Sequence, residues 1–414
     1  MAESYLPRLV DGLISDLLVD LPGLLIVGPR ATGKTTTARR HARSIVHLDQ
    51  DVEAEQFRAD PDVALAGLPE PVLLDEWQAV PGVLGAVKRA IDSSPRRGRF
   101  IVTGSARDDL LRSSWPVTGR LVRVEMTGLT VRETQRGDLA TAPFFRRIAE
   151  QGVESLVVPP DPPDLRGYVE HAMVGGYPDP VLGMTVSRRA RWQLSYLDRL
   201  LTRDAADVDT ARDPARLLRF FQAYTLNTAG EVTDRTLYEA AGINRRTAEA
   251  YERLLQALFL VDVVPAWSTN LLKRLVRAPK RYLRDPGLAA AVLDVDTDDV
   301  LRNGDILGRM IETFVLAQLR AELPLDDQPP RLYHLRQEGG AREIDLIAEL
   351  GLRRVIGLEI KARSAPSAES ARHLVWLRDQ LGDTFVGGVV LHTGRHVYRL
   401  DERIVAAPIC TIWA

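Results

Sequence analysis

Short apolar runs that stop abruptly at small or charged residues recur along the first third of the chain. Leu24-Leu25-Ile26-Val27, Val72-Leu73-Leu74 and Phe100-Ile101-Val102 each read as a strand buried on both faces. They stop at Gly28, at Asp75-Glu76 and at Thr103-Gly104-Ser105. Uninterrupted runs of this kind, separated by helical stretches, predict a parallel sheet in an α/β domain. Farther on the pattern changes. Val157 to Asp164 holds four prolines in eight residues, which continue neither a helix nor a central strand, and a domain boundary is expected there. Tyr168 to Asp204 reads helical, with a turn at Gly175-Gly176-Tyr177-Pro178. Between residues 231 and 267 the spacing predicts a short helix (Arg235–Ala241), a turn at Gly242 and a helix from Arg245 to Phe259 capped by Asn244. An alternating strand, Leu260–Val264, follows. That is the element order of a winged helix-turn-helix. The last third predicts an apolar helix, Met310–Leu319, and a hairpin of Arg342–Ala348 with Val355–Lys361 around the turn Gly351–Arg354.

The sharpest chemical signal sits at the end of the first apolar run. Gly28-Pro29-Arg30-Ala31-Thr32-Gly33-Lys34-Thr35 fits the P-loop pattern at every fixed position, between a strand and a helix that opens at Thr36. Backbone N–H groups of such a loop wrap phosphates at a helix N-terminus. The expected ligand is ATP with Mg²⁺, held by residues 28–36, with Lys34 on the β- and γ-phosphates and Thr35 on the metal. The second strand supplies the acids: Asp75 to hold Mg²⁺ through water, Glu76 to polarise the attacking water. At the end of the third strand, Ser105 is the first choice for sensing the γ-phosphate or orienting the water, with Thr103 in reserve.

The P-loop, Leu73–Gln78, Val102–Ala106, Thr118-Gly119-Arg120 and Leu129–Glu133 occur in that order. Together they resemble the AAA-type ATPase domain of bacterial and archaeal ATPases that carry a C-terminal DUF4143 region. Gly175–Pro178 and the Arg203-Asp204 pair resemble the DUF4143 region and read as structural. The resemblance implies an ASCE-type P-loop sheet with Asp75 and Glu76 as its acidic pair, and Arg120 as an arginine finger or phosphate sensor. Where the family pattern is closer to Ser-Leu-Ala-Gly-Arg, this chain has Trp115-Pro116-Val117-Thr118-Gly119-Arg120. Glu312 on its helix, Asp345, and Glu359 with Lys361 on the return strand resemble the core of PD-(D/E)xK nucleases. That likeness implies Mg²⁺ held by Asp345, Glu359 and Glu312, with Lys361 orienting a water for phosphodiester hydrolysis. An inactive nuclease-like fold used for binding and a plain solvated hairpin remain open beside it.

Composition narrows the partners. The chain has 414 residues, 45% hydrophobic and 27% charged, in the range of globular domains. A net charge of −2 gives no global attraction to nucleic acid, so any such binding needs a local patch. Arg245 and Arg246, at the start of the second helix of the helix-turn-helix, are candidates for double-stranded DNA. The stretch Lys273–Arg284 carries six basic residues and no acid. Packing against protein is the other use of a winged helix. The single cysteine, Cys410, excludes Cys-cluster metal sites and suits a reducing cytoplasm. No apolar run approaches the roughly 20 residues of a membrane helix. The reading expects three parts: a P-loop domain over 1–155, a helical and winged-helix region over 165–295, and a nuclease-like α/β domain over 296–414. It expects a DNA-directed ATPase, with a homo-oligomer as an option. The alternative is an ATP-driven regulatory switch, STAND-like, that acts through protein contacts.

Overall fold

The structure is a computed structural model that describes residues 5–105, 117–204, 213–230, 232–270, 278–337 and 341–414. Ala106, Trp115, Pro116, Lys273, Arg274 and Arg277 lie outside the described residues, as do the side chains of Arg203 and Asp204. The chain divides into two compact units. One is Met1–Leu129 with Tyr177–Asp179 and Gln256–Phe259; the other is Thr130–Gly176, Pro180–Leu255 and Leu260–Ala414.

The first unit is built on five strands: β1 (Gly23–Val27), β2 (Ser44–His47), β3 (Val72–Asp75), β4 (Phe100–Gly104) and β5 (Val122–Glu125). Their order is β2-β3-β4-β1-β5, and every pair is parallel. β1, β3 and β4 are buried along their whole length, which is why they read as unbroken apolar runs. The helix Val83–Ser93 presents Val83, Leu84, Ala86, Val87 and Ile91 to the same core as Leu25, Leu74 and Val102. The register levels the strand ends: Leu74 lies beside Val102, and Ile26 beside Thr103. The P-loop, the Asp75-Glu76 pair and the Thr103–Ser105 turn therefore leave the sheet at one edge, the C-terminal edge where ligands bind in open α/β sheets.

The second unit is largely helical before residue 331, apart from one small two-stranded sheet, and sheet-based after it. The predicted turn at 175–178 separates the helices Leu165–Val174 and Pro178–Gly183, and the proline stretch forms no helix or strand. Two helices, Asp234–Ala240 and Arg245–Ala257, flank the turn at Gly242. A two-stranded antiparallel sheet of β6 (Val261–Val264) and β7 (Lys280–Leu283) follows. The expected hairpin belongs to a six-stranded mixed sheet. Its strands are β8 (Arg331–Gln337), β9 (Arg342–Leu350), β10 (Arg354–Lys361), β11 (Phe385–His392), β12 (Tyr398–Asp401) and β13 (Ile404–Pro408). Their order is β12-β13-β11-β10-β9-β8. β9 and β10 are antiparallel, β10 and β11 parallel. The helix Arg372–Leu381 that joins the parallel pair packs against Gly357, where a Cβ would lie 2.6 Å from Leu374. No helix among the described residues is long and apolar enough to cross a membrane.

Candidate functional site

The P-loop joins β1 to the helix Lys34–Ala38. Ala31 and Gly33 adopt positive φ, 59° and 87°, which turns the backbone between strand and helix. Gly28 passes so close to β5's exit that a Cβ there would lie 2.0 Å from the Met126 carbonyl oxygen. Thr32 Oγ1 donates to Pro29 O at 2.8 Å and pins the loop internally. Lys34 is buried, and its Nζ donates to the carbonyls of Gly28 at 3.1 Å and Pro29 at 2.7 Å. Among the described residues it makes no ion pair. Burial pulls its ammonium down to about 8, against the opposing field of Glu76 and Asp75. From the other side of the loop, buried Arg8 donates to Thr32 O at 2.8 Å and Thr127 O at 2.9 Å. Nothing in the local sequence around Arg8 signals that role.

The acids complete the arrangement. Asp75 Oδ1 accepts from Thr35 Oγ1 at 2.8 Å and from Thr103 Oγ1 at 2.5 Å, while Oδ2 faces His47 Nδ1 at 3.3 Å. Thr103 serves Asp75, and Ser105 serves Glu76: Ser105 Oγ donates to Glu76 Oε2 at 3.3 Å. Gln78 closes the second group, donating from Nε2 to both Glu76 and Ser105. Gln78 and His47 carry no assignment from sequence, although Gln78 stands in the Leu73–Gln78 run. Glu76 has φ of 53°, a left-handed conformation that costs a non-glycine residue energy and aims its side chain off the strand end. The next residue, Trp77, is buried against Gly104, where a Cβ would lie 2.5 Å from its Nε1. Lys34, Thr35, Asp75, Glu76, Thr103 and Ser105 thus come together.

The C-terminal candidates also converge. Ile360 N donates to Asp345 Oδ2 at 2.8 Å. Lys361 Nζ lies 2.7 Å from Glu359 Oε2 and 3.7 Å from Asp345 Oδ2. Glu312 reaches the cluster from the helix Gly304–Glu322. Between Glu312 and Asp345 stands Lys280 of β7, Nζ 2.6 Å from Glu312 Oε1 and 3.4 Å from Asp345 Oδ1. Tyr282 Oη donates to Glu312 Oε1 at 2.6 Å. Burial, with the charge of Asp345, pushes the Glu359 carboxyl up to about 8, and burial pushes Glu312 to about 7. For Asp345, burial is outweighed by Lys280 and Lys361, which hold it below the usual carboxylate range.

Family models match three segments: an AAA domain over residues 22–135, a domain of unknown function, DUF8612, over 165–299, and another, DUF4143, over 307–412. An uncharacterized protein of Mycobacterium tuberculosis is 30% identical over 393 residues, 94% of this chain and 80% of its own. An uncharacterized protein of Mycobacterium bovis matches to the same extent. The chain belongs to this family of AAA-domain proteins with a C-terminal DUF4143 region. Among solved structures, a Walker-type ATPase of Pyrococcus abyssi superposes with a TM-score of 0.45 at 15% identity, over 70% of this chain and 97% of that one. The Orc1 protein of Aeropyrum pernix in complex with DNA gives 0.30 at 14%, over 73% and 96%. AMPPCP-bound DnaA of Aquifex aeolicus gives 0.23 at 13%, over 60% and 85%. None reaches 0.5, so none bears on function.

Other features of this AAA/DUF4143 chain separate into structural and exposed. Thr130 and Glu133 form a capping box, and buried Arg132 pairs with Glu322 at 2.8 Å, so Thr130–Glu133 is a structural part of the second unit. Asp285 accepts from Gly176 N at 2.7 Å and Leu288 N at 3.0 Å, tying the Gly175-Gly176 turn to a helix start. Arg120 is half-exposed and pairs with Asp92 at 2.9 Å; its bonds do not run to Asp75 or Glu76. Arg245 and Arg246 are exposed, and Arg245 pairs with Glu249 one turn on, at 2.8 Å. The basic stretch is not all surface. Lys280, Arg281 and Arg284 are largely buried and committed to Glu312 and Asp345, to Glu252 and Asp234, and to Asp262.

Proposed function

We propose that this chain binds ATP with Mg²⁺ and hydrolyses it in the first unit, and that double-stranded DNA engages the helix Arg245–Ala257. The observation that supports the ATP reading is the hydrogen-bonded set made by the ends of β1, β3 and β4. A buried lysine that among the described residues is held by two backbone carbonyls is a cation awaiting an anion, which fits a polyphosphate. Thr35 and Asp75, 2.8 Å apart, fit the metal that would accompany it. When bound, Mg²⁺ supplies charge neutralisation at the transferred phosphoryl group. In this reading Lys34 binds the phosphates, Glu76 takes the proton of the attacking water, and Ser105 with Gln78 holds Glu76 in place. Thr103 orients Asp75. Half-exposed Arg120, released from Asp92, serves as an arginine finger to a neighbouring copy, which requires a homo-oligomer.

The DNA half rests on two exposed arginines at the start of the second helix of a helix–turn–helix. A second reading, a regulatory switch that acts through protein contacts, gains from the internal commitment of Lys280, Arg281 and Arg284, which removes half of the six basic residues of the stretch Lys273–Arg284. The test is ATP hydrolysis by wild type, Glu76→Gln and the Arg245→Ala/Arg246→Ala pair, with and without duplex DNA. Glu76→Gln should retain ATP binding and lose turnover; turnover at the wild-type rate sinks its role as base. DNA should stimulate the wild type. The arginine pair should bind DNA more weakly with a shallower salt dependence, each lost phosphate contact removing roughly 0.9 from the log–log slope. Unchanged affinity and slope would favour the switch.

A further inference from the structure

The acidic centre of the second unit resembles a metal-dependent nuclease core in its carboxylates, yet its interior differs from a metal site in one respect. A divalent cation in an oxygen site needs carboxylate oxygens turned to it at about 2.0–2.6 Å, in the space between them. Here Glu312 and Asp345 share a lysine ammonium. Lys280 Nζ stands 2.6 Å from one and 3.4 Å from the other, at hydrogen-bonding distance from the oxygens a metal would need. The lysine is 3% exposed, so it has no water-facing alternative. Lys361 Nζ bonds Glu359 Oε2 at 2.7 Å, and His373 Nδ1 lies 3.8 Å from the other oxygen, which is buried without a hydrogen bond among the described residues. Among the described residues, no group of three or more His, Cys, Asp or Glu is disposed to hold a metal ion.

The position of Lys280 is fixed by its strand. Side chains alternate along β7, so Lys280 and Tyr282 share one side and Arg281 takes the other. Lys280 and Tyr282 both meet Glu312. Arg281 bonds Glu252 Oε1 at 2.9 Å and also Asp234, one residue from each helix of the helix–turn–helix. β7 also pairs with β6 along its length. Withdrawing Lys280 to admit a metal would leave a buried ammonium unpaired or pull β7 from both neighbours.

We propose that Lys280 is the resident cation of the Glu312–Asp345–Glu359 centre, which therefore takes no divalent metal in the wild-type chain. The inference is independent of the ATP reading, since it concerns the second unit alone. The centre then works as a structural core or a binding surface, and a metal-dependent nuclease step has no place in it.

The experiment is Mn²⁺ binding to the nucleotide-free full chain, followed by electron paramagnetic resonance. An Asp75→Ala background removes any contribution from the P-loop site. In that background the chain and its Asp345→Asn variant should bind Mn²⁺ equally and weakly. Lys280→Met, close in length and uncharged, should gain one Mn²⁺ at least tenfold tighter, and Lys280→Met/Asp345→Asn should lose it again. A site in the Lys280 chain that Asp345→Asn abolishes would overturn the proposal. So would a folded Lys280→Met that gains none. If Lys280→Met does not fold, the comparison with Asp345→Asn decides by itself.

Discussion

Two buried lysines, one in each unit, set the two charge clusters of this protein apart. Lys34 donates to two backbone carbonyls, and the acids near it are bonded instead to Thr35, Thr103, Ser105 and Gln78. Lys280 is in contact with two carboxylates, and Lys361 bonds one oxygen of a third. The electrostatic result is opposite. Burial pulls the Lys34 ammonium down to about 8. Burial acts on Lys280 as well, but Glu312, Tyr282 and Asp345 outweigh it and hold that ammonium well above its ordinary range. A lysine left short of counter-charge marks a place where an anionic ligand completes the structure. A lysine fully matched marks a place already complete. Acidic and basic residue types alone do not separate the two cases; partner geometry does.

The largest expected effect breaks the incomplete cluster. Lys34→Ala removes charged hydrogen bonds to phosphate, each contributing about 1.5–3 kcal/mol, so nucleotide affinity should fall on the order of 100-fold or more by calorimetry. The same variant should destabilise the apo chain to urea only modestly, by about 1–2 kcal/mol for the Gly28 and Pro29 carbonyls it leaves unpaired, because among the described residues Lys34 has no ion-pair partner to orphan. Lys280→Ala should do the reverse. Its nucleotide affinity should stay at the wild-type value. Two carboxylates would lose their buried cation, and the unfolding free energy should drop by about 3–5 kcal/mol. Equal stability losses for the two variants would erase the distinction.

A smaller effect sharpens the comparison through protons. The empty P-loop holds Lys34 near 8, and an arriving polyphosphate raises it towards its ordinary value. At pH 8.5 the empty site is mostly deprotonated and the filled site protonated, so binding takes up a proton. At pH 6 both forms are protonated and no uptake occurs. Affinity therefore falls as pH climbs past about 8. Calorimetry of ADP binding with EDTA present, in buffers of different ionisation enthalpy, measures the uptake directly. Uptake that persists in Lys34→Ala would assign it to another group. The smallest effect expected is from Gly104→Ala. The added Cβ pushes on Trp77, next to Glu76, and should lower turnover several-fold with little change in nucleotide affinity.

The first cluster was legible in the sequence because its parts are local. A strand, a glycine loop and a helix start are contiguous, and β3 and β4 announce their ends by a switch from apolar to polar. The refinement that Thr103 attends Asp75 while Ser105 attends Glu76 needed the strand register, which pattern does not supply. The second cluster was half legible. Glu312, Asp345, Glu359 and Lys361 carry spacing that points to one another. Lys280 does not: it lies 65 residues before Asp345, inside a run that reads as exposed basic surface. Only the pairing of β7 with β6 turns it inward.

The placement of Lys280 also governs how this protein can be taken apart. The family models meet between residues 299 and 307, an inviting point at which to cut. A cut there leaves Lys280 on one piece and Glu312, Asp345 and Glu359 on the other. The shorter piece would then carry three carboxylates with Lys361 and His373 beside them but without Lys280, and on the proposal above it would attract divalent metal. Metal found in that piece would be a property of the dissection, so chemistry assigned to the C-terminal segment has to be measured with residues 280–283 still attached.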